Sequence, residues 1–156
     1  MSHPRPQHPP AAGLVASAVF LFLCATAQAA APPGNGLGVS GAWMRFIMPS
    51  RPAAGYFTLS NDSPNPRMLT GASSPACAEL MLHRSLQEGA MDSMEMVARV
   101  PVPAHGSVSF APGGYHLMCV SPSRDMVPGH SVSVTLHFAD QTTVTTYFPV
   151  RNAAGK

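Results

Sequence analysis

A histidine and a methionine, His116 and Met118, stand two residues apart within the sequence Gly-Gly-Tyr-His-Leu-Met. If this stretch is a β-strand, both side chains project to the same face, because successive side chains of a strand point to opposite faces. An imidazole beside a thioether favours a soft, thiophilic metal such as copper over magnesium or calcium. One such pair is weak evidence, so further soft donors must come from elsewhere in the chain.

Further soft donors are present upstream. His83 lies near the end of a predicted strand, Ala76–Arg84, with Met81 on the same face. Met94 and Met96 share a face of the next predicted strand. Because residues at the end of one strand and the start of the next can lie close together across a short connection, these side chains could meet.

Composition narrows the class of protein. Only 10% of the residues are charged, the net charge is +2, and the nine basic residues are scattered, so no basic surface for nucleic acid is predicted. The seven carboxylates are equally scattered and no Ser-His-Asp or Cys-His order stands out, so no enzyme is predicted. Ten methionines are many for a chain of 156 residues, although methionine is also a flexible filler of cores.

The N-terminal segment is predicted to be a secretory signal peptide spanning residues 1–29. Its apolar part, Leu14–Leu23, is too short to span a bilayer comfortably, and Ala27–Ala29 fits an A-x-A cleavage site. A lipoprotein signal is disfavoured because Leu23 precedes Cys24, where a small residue is expected, and an uncleaved membrane anchor is the other alternative. We therefore expect a periplasmic mature protein.

Export changes how the cysteines are interpreted. Cys24 leaves with the signal peptide, so Cys77 and Cys119 remain. Two cysteines in an oxidising compartment favour a disulfide, but two buried thiols are an equal alternative, since sequence does not give the distance between the two Cα atoms. Cys119 follows Met118 and should face away from it.

The mature chain is predicted to be all-β. We expect a flexible leader at residues 30–40, one β-sandwich domain at 41–151 and a short tail at 152–156. The clearest strand is Ser131–Phe138, where apolar and polar residues alternate with the period of two that is typical of a half-buried strand. Short strands at spacings of roughly 8 to 12 residues indicate a sandwich or barrel. The other predicted strands are Trp43–Met48, Gly55–Ser60, Arg67–Gly71, Ala76–Arg84, Met94–Val100, Ser107–Phe110, Tyr115–Val120 and Thr142–Val150.

The spacing of the soft donors resembles a family motif. The pattern His83-x10-Met94-x21-His116-x-Met118 is similar to that of the periplasmic PCuAC-type copper chaperones. The similarity extends from about residue 41 to residue 150, and it includes the blocks Ala42–Arg45, Ala53–Asn61 and Pro112–Met118.

The resemblance implies both a fold and a function. The expected fold is a cupredoxin-like β-sandwich of the Greek-key type, and the expected ligands of one Cu(I) near the surface are His83, Met94, His116 and Met118. Family members deliver copper to the dinuclear centre of a respiratory terminal oxidase, often beside a thioredoxin-like protein. We accordingly expect a copper-accepting oxidase subunit and a thioredoxin-like assembly protein as partners, no membrane contact except through the recipient, and a monomer.

The chemistry of this donor set supports the same expectation. Thioethers and imidazoles are neutral, so a His2Met2 set favours monovalent copper over Zn(II), which prefers thiolate, imidazole and carboxylate. Neutral ligands at a rim also suit a carrier, because a partner can replace them one at a time.

Several alternatives stay open. Met96 competes with Met94 for the ligand role, and Met91 lies close by in sequence. The tail after Val150 has no His or Met, which puts in doubt a second, Cu(II)-loading site that some relatives carry there.

Two other functions also compete. A blue-copper electron carrier needs a Cys thiolate, two His and a weak Met, but the next histidine after Cys119 is His130, beyond Met126, so the order in the loop is wrong. An exported β-sandwich interaction module without metal would use its methionines only for packing.

Overall fold

The structure is a computed structural model that describes residues 36–88 and 91–156, besides Met1. The predicted signal peptide at 1–29 and most of the expected leader lie outside the described residues. Within them, every regular element is a β-strand, which confirms the all-β prediction. The described part contains no helix of the length and apolarity that crossing a membrane requires.

The strands follow the turn signals of the sequence. The prediction for residues 131–138 is confirmed without change of bounds. In chain order the strands of the described residues are β1 (Leu37–Arg45), β2 (Ala53–Asn61), β3 (Arg67–Ser73), β4 (Cys77–Glu88), β5 (Met91–Met96), β6 (Val100–Val102), β7 (Gly106–Phe110), β8 (Tyr115–Pro122), β9 (Ser131–Phe138) and β10 (Thr143–Arg151).

The strands form a curled sheet in the order β5-β4-β8-β7-β2-β1-β10-β9-β3-β6. A parallel pairing of β1 with β10 joins its two halves, while most other neighbours are antiparallel. Apolar side chains from both halves make one buried core. Phe57 of β2 stacks on Phe110 of β7 with ring centroids 4.3 Å apart, and its edge meets Phe148 of β10 at 5.6 Å. Burial of each such side chain stabilises the fold by roughly 1.5–3 kcal/mol.

Two boundaries differ from the prediction. The prediction that the flexible leader ends at residue 40 is wrong. β1 already begins at Leu37, which is buried and pairs with Asn61. The predicted single strand from residue 94 to 100 is also wrong, because β5 pairs with β4 whereas β6 pairs with β3. β6 is the last strand of the sheet and contains Pro101, which an edge strand tolerates because one side of it needs no N–H donors.

Two glycines determine how β8 enters the sheet. The Ala111–Gly114 turn before it has Gly113 at φ 81°, and the Gly114 N–H donates to the Ala111 carbonyl at 3.0 Å. Proline at the second position and glycine at the third are typical of a type II turn. In β2, a Cβ on Gly55 would lie 3.1 Å from Leu117 Cβ, so only glycine lets β2 pair this closely with β8.

A disulfide links the two strands that carry the predicted histidines. Cys77 at the start of β4 is bonded to Cys119 in β8, with the Cα atoms 5.4 Å apart and the two residues 42 positions apart in sequence. Of the two alternatives left by the sequence, the structure has the disulfide. Cys119 is fully buried, on the opposite side of β8 from Met118, as predicted.

We expect reduction of this disulfide to lower the free energy of unfolding. For a loop of 42 residues, the loss of chain entropy in the unfolded state corresponds to about 4 kcal/mol. Urea unfolding of the oxidised and the reduced parent protein measures the difference without any substitution. A Cys77→Ala/Cys119→Ala variant should resemble the reduced form, and equal unfolding midpoints in all three would contradict the prediction.

Candidate metal centre

The two predicted histidines are direct cross-strand neighbours. His83 of β4 lies opposite His116 of β8 in the antiparallel register, and the ring centroids are 5.9 Å apart. Both side chains are buried, although they project to the face opposite Leu82 and Leu117, which enter the core. The fold therefore brings together two imidazoles that are separated by more than thirty residues of sequence.

His83 has no internal hydrogen-bond partner. Both of its ring nitrogens are buried and unpartnered within the described residues, and an unsatisfied buried polar atom costs about 1–3 kcal/mol. Burial lowers the pKa of His83 below its ordinary value of 6.5, and the charge of His116 lowers it further. Near pH 7 the ring is thus neutral, with a lone pair available to a cation.

His116 is held in one tautomer. Its Nδ1 lies 3.1 Å from the carbonyl oxygen of Gly114. Because a carbonyl can only accept, Nδ1 carries the proton and Nε2 keeps the lone pair. A hydrogen bond of this type orients metal-binding imidazoles in many proteins, and here the Pro-Gly-Gly turn supplies the acceptor.

The predicted thioether of β8 is on the same face as the histidines. Met118 lies opposite Met81 of β4 and Ala54 of β2. Because residues directly opposite in an antiparallel pair share a face, Met81 belongs to the same row of soft side chains as His83. Alanine at position 54 leaves room beside Met118.

The edge strand β5 contributes two further thioethers. Met94 lies opposite Ser85, whereas Met96 lies directly opposite His83. Their exposed fractions are 67% and 69%, so neither side chain is part of the core. The motif spacing selects Met94, while the strand register gives Met96 the closer lateral position to His83.

A cavity of about 360 Å³ opens beside this face, and Met94, His116 and Met118 line it together. His83 does not line the cavity, but it lies next to His116, which does. The wall also includes Arg45 and Arg51, to which sequence reasoning assigned no role. Their position could not be found from spacing, because it depends on the pairing of β2 with both β1 and β8.

This donor set fits a soft monovalent cation. Two imidazoles and exposed thioethers offer nitrogen and sulfur without negative charge, which favours Cu(I) over hard divalent ions. One of the two unpartnered ring nitrogens of His83 is satisfied if such a cation binds. No group of three or more His, Cys, Asp or Glu side chains that could hold a metal occurs among the described residues, so the methionines are needed to complete a site.

Comparison with known proteins identifies relatives. Residues 37–150 match the model of the LpqE-like family, described as "Putative lipoprotein LpqE-like". The chain is also 31% identical over 144 residues to "Putative lipoprotein Lxx21020" of Leifsonia xyli subsp. xyli, which covers 92% of this chain and 85% of that protein.

Solved structures share the fold. The solution structure of CuI-DR1885 from Deinococcus radiodurans is 30% identical, with a TM-score of 0.59 over 76% of this chain and 78% of that chain. The copper-bound PCuAC domain from PmoF2 has a TM-score of 0.61 over 75% of this chain and 93% of that domain. At 22% identity the second match bears on the fold alone. These similarities confirm the expected cupredoxin-like architecture of PCuAC domains.

We expect the metal-free protein to lose stability as the pH falls below about 6.5, the ordinary pKa of histidine. The pKa of His83 is lowered in the folded state, so between that pKa and the ordinary value the unfolded chain binds more protons, and the free energy of unfolding rises with pH. Urea unfolding between pH 5 and about pH 7.5 measures the slope.

A His83→Gln variant should show a smaller slope, and His130→Gln, which changes an exposed histidine before β9, serves as the matched control. An unchanged slope in the His83→Gln variant would show that His83 does not titrate in this way.

Proposed function

This chain belongs to the LpqE-like family, and from that premise we propose that it is a copper chaperone that binds one Cu(I). The ligands we assign are His83, Met94, His116 and Met118. One observation carries the proposal: a pair of buried imidazoles, one without any internal partner, faces exposed thioethers at the edge of the sheet.

The proposed role is transfer rather than storage. Met94 is about two-thirds exposed and borders an open cavity, so an incoming donor can approach the metal from that side. Neutral thioethers bind Cu(I) without trapping it electrostatically, which favours stepwise ligand exchange with a partner. A copper-accepting subunit of a respiratory oxidase is the recipient that we propose, with a thioredoxin-like protein assisting.

Similarity to a copper-loaded relative supports this choice. The 30% identical protein from Deinococcus radiodurans was solved as CuI-DR1885, and its fold covers most of this chain. That relative contains Cu(I) in its structure, the ion that the donor set described above favours.

The assignment of Met94 over Met96 has its own support. Met94, His116 and Met118 line one cavity, whereas Met96 borders a different depression. Met96 nevertheless lies opposite His83, so it is the alternative fourth ligand.

We also propose that the protein works outside the cytoplasm. The predicted signal peptide and the Cys77–Cys119 disulfide both suit an oxidising compartment. The family description and the Leifsonia relative both carry the word lipoprotein, whereas the chain has Leu23 before Cys24. Cleavage after about Ala29 is the processing that we propose.

We expect the mature protein to bind one equivalent of Cu(I) under reducing conditions. X-ray absorption should detect nitrogen and sulfur scatterers, because the assigned ligands are imidazoles and thioethers. Competition with a colorimetric Cu(I) chelator should give affinities weakened by more than about 100-fold in His116→Ala and Met118→Ala, since loss of even an indirect partner of a ligand can reach that size.

The control variants for this experiment are His105→Ala and Met68→Ala, which remove the same side-chain types from positions outside the cavity lining. Met94→Ala and Met96→Ala decide the fourth ligand, because only the true ligand should lower the sulfur count. If His116→Ala and Met118→Ala take up copper like the parent, the ligand assignment is wrong.

Identification of the first residue of the exported protein tests the proposed processing. Mass spectrometry of protein recovered from the cell envelope should find a first residue near Ala30, because the A-x-A site ends at Ala29. A lipid-modified peptide beginning at Cys24 would instead indicate a lipoprotein, and an intact segment from Met1 would indicate an anchor. A Cys24→Ser variant should be processed like the parent.

A further inference from the structure

The cavity beside the thioethers has a cationic wall. Arg45, near the end of β1, and Arg51, in the connection to β2, both line it. The β1–β10 register also places Arg151 beside Arg45, and the Arg151 guanidinium lies 5.1 Å from the centroid of the Trp43 ring. Arg45 and Arg51 therefore place two guanidinium groups in the wall of the cavity, and Arg151 adds a third on the strand next to β1.

No acidic side chain in the described part of the chain forms an ion pair with these arginines. Arg67–Asp140 is the ion pair found among the described residues, and no described Asp or Glu lines the cavity. Neither Arg45 nor Arg51 makes a side-chain hydrogen bond there. A guanidinium presents several donors in a planar fork that matches a carboxylate, so the wall suits an anionic occupant.

The remaining lining indicates that the occupant is a protein segment. Ile47, Pro52 and Pro112 contribute apolar surface to the same cavity. Ile47 and the adjacent Met48 are about two-fifths exposed, at 42% and 43%, although they are large apolar side chains. Arginine and methionine are enriched in protein–protein interfaces relative to the rest of the surface. A free inorganic anion would gain nothing from these apolar contacts.

We propose that this cavity is the docking site for an acidic segment of the protein that exchanges copper with this chain. Carboxylates of that segment pair with Arg45 and Arg51, which brings its own soft donors next to Met94, Met118 and His116. The inference rests on the proposed function and adds the chemistry of the partner. In this proposal, the cationic wall determines which partner proteins bind next to the copper.

The exchange itself needs no redox step. A partner thioether or imidazole forms one bond to Cu(I) as one protein–Cu(I) bond, such as that to the exposed Met94, breaks. The copper stays monovalent throughout, and repeated exchange moves it to the partner. The arginines do not touch the metal in this scheme, so they are positioning residues.

Two matched peptides test the proposal. One synthetic peptide carries methionine and histidine donors flanked by aspartates, and the other has each aspartate replaced by asparagine. NMR titration of the metal-free protein reports binding, and stopped-flow spectroscopy of the Cu(I)-loaded protein reports transfer. At low salt, two exposed ion pairs should make the aspartate peptide bind roughly fivefold to tenfold more tightly, and salt should reduce this preference.

The variants separate the cavity from net charge. Arg45→Gln/Arg51→Gln should bind both peptides equally while keeping the Cu(I) affinity of the parent. Arg99→Gln/Arg124→Gln removes the same charge from exposed positions outside the cavity and should keep the preference. The proposal is overturned if the parent shows no preference or if the control variant loses it equally.

A third probe distinguishes a protein segment from a small anion. If millimolar acetate shifts the same resonances and abolishes binding of the aspartate peptide, the cavity is a site for small carboxylates and not for a partner. Failure of the proposed function is a separate outcome, because a parent that takes up no Cu(I) can still be titrated with both peptides in its metal-free form.

Discussion

The pairing of β4 with β8 is the constraint on which the site depends. Its register places His83 opposite His116 and, on the other face, Leu82 opposite Leu117. A shift by one residue would exchange the two faces, because side chains alternate along a strand. The buried leucines, at 3% and 0% exposure, therefore hold the histidines in place. The Cys77–Cys119 disulfide ties the same two strands together, so core packing and the covalent link maintain one geometry.

In the metal-free protein the candidate site lowers the stability of the fold, and a bound metal ion would remove part of that cost. His83 is buried with both ring nitrogens unpartnered, and its lowered pKa shows that burial also disfavours its protonation. A bound cation would satisfy a nitrogen that no internal group satisfies. Because a ligand that binds only the folded state stabilises it, metal loading and fold stability are expected to rise together. A purely structural histidine would more commonly have a hydrogen-bond partner of its own.

Sequence reasoning succeeded where the signal is local. The alternation in residues 131–138 and the Pro-Gly-Gly turn before Tyr115 predicted strands that the structure contains. The sequence could not show that the chain crosses from one end of the sheet to the other between Met96 and Val100. The pairing of β5 with β4 and of β6 with β3 is set by long-range packing.

For the candidate site too, the sequence predicted some features, whereas others depend on long-range strand pairing. Spacing and family resemblance nominated the four ligands, and the fold brings His83 and His116 side by side. The choice between Met94 and Met96 depends on cross-strand register, which spacing does not encode. The cationic wall was missed because Arg45 and Arg51 reach the cavity through the pairing of β2 with β1 and β8.

The disulfide weighs against one of the two competing functions, and the buried imidazoles weigh against the other. A blue-copper centre needs a thiolate, and Cys119, the cysteine next to the donors, is bonded to Cys77. In an interaction module without metal, exposed Met94 and Met96 could still serve as contact residues, because methionine is common at interfaces. That function gives no reason to bury two imidazoles side by side with the nitrogens of one left unpartnered. The carrier of Cu(I) that we propose would account for both features, with the imidazoles as fixed ligands and the exposed thioethers as exchangeable ones.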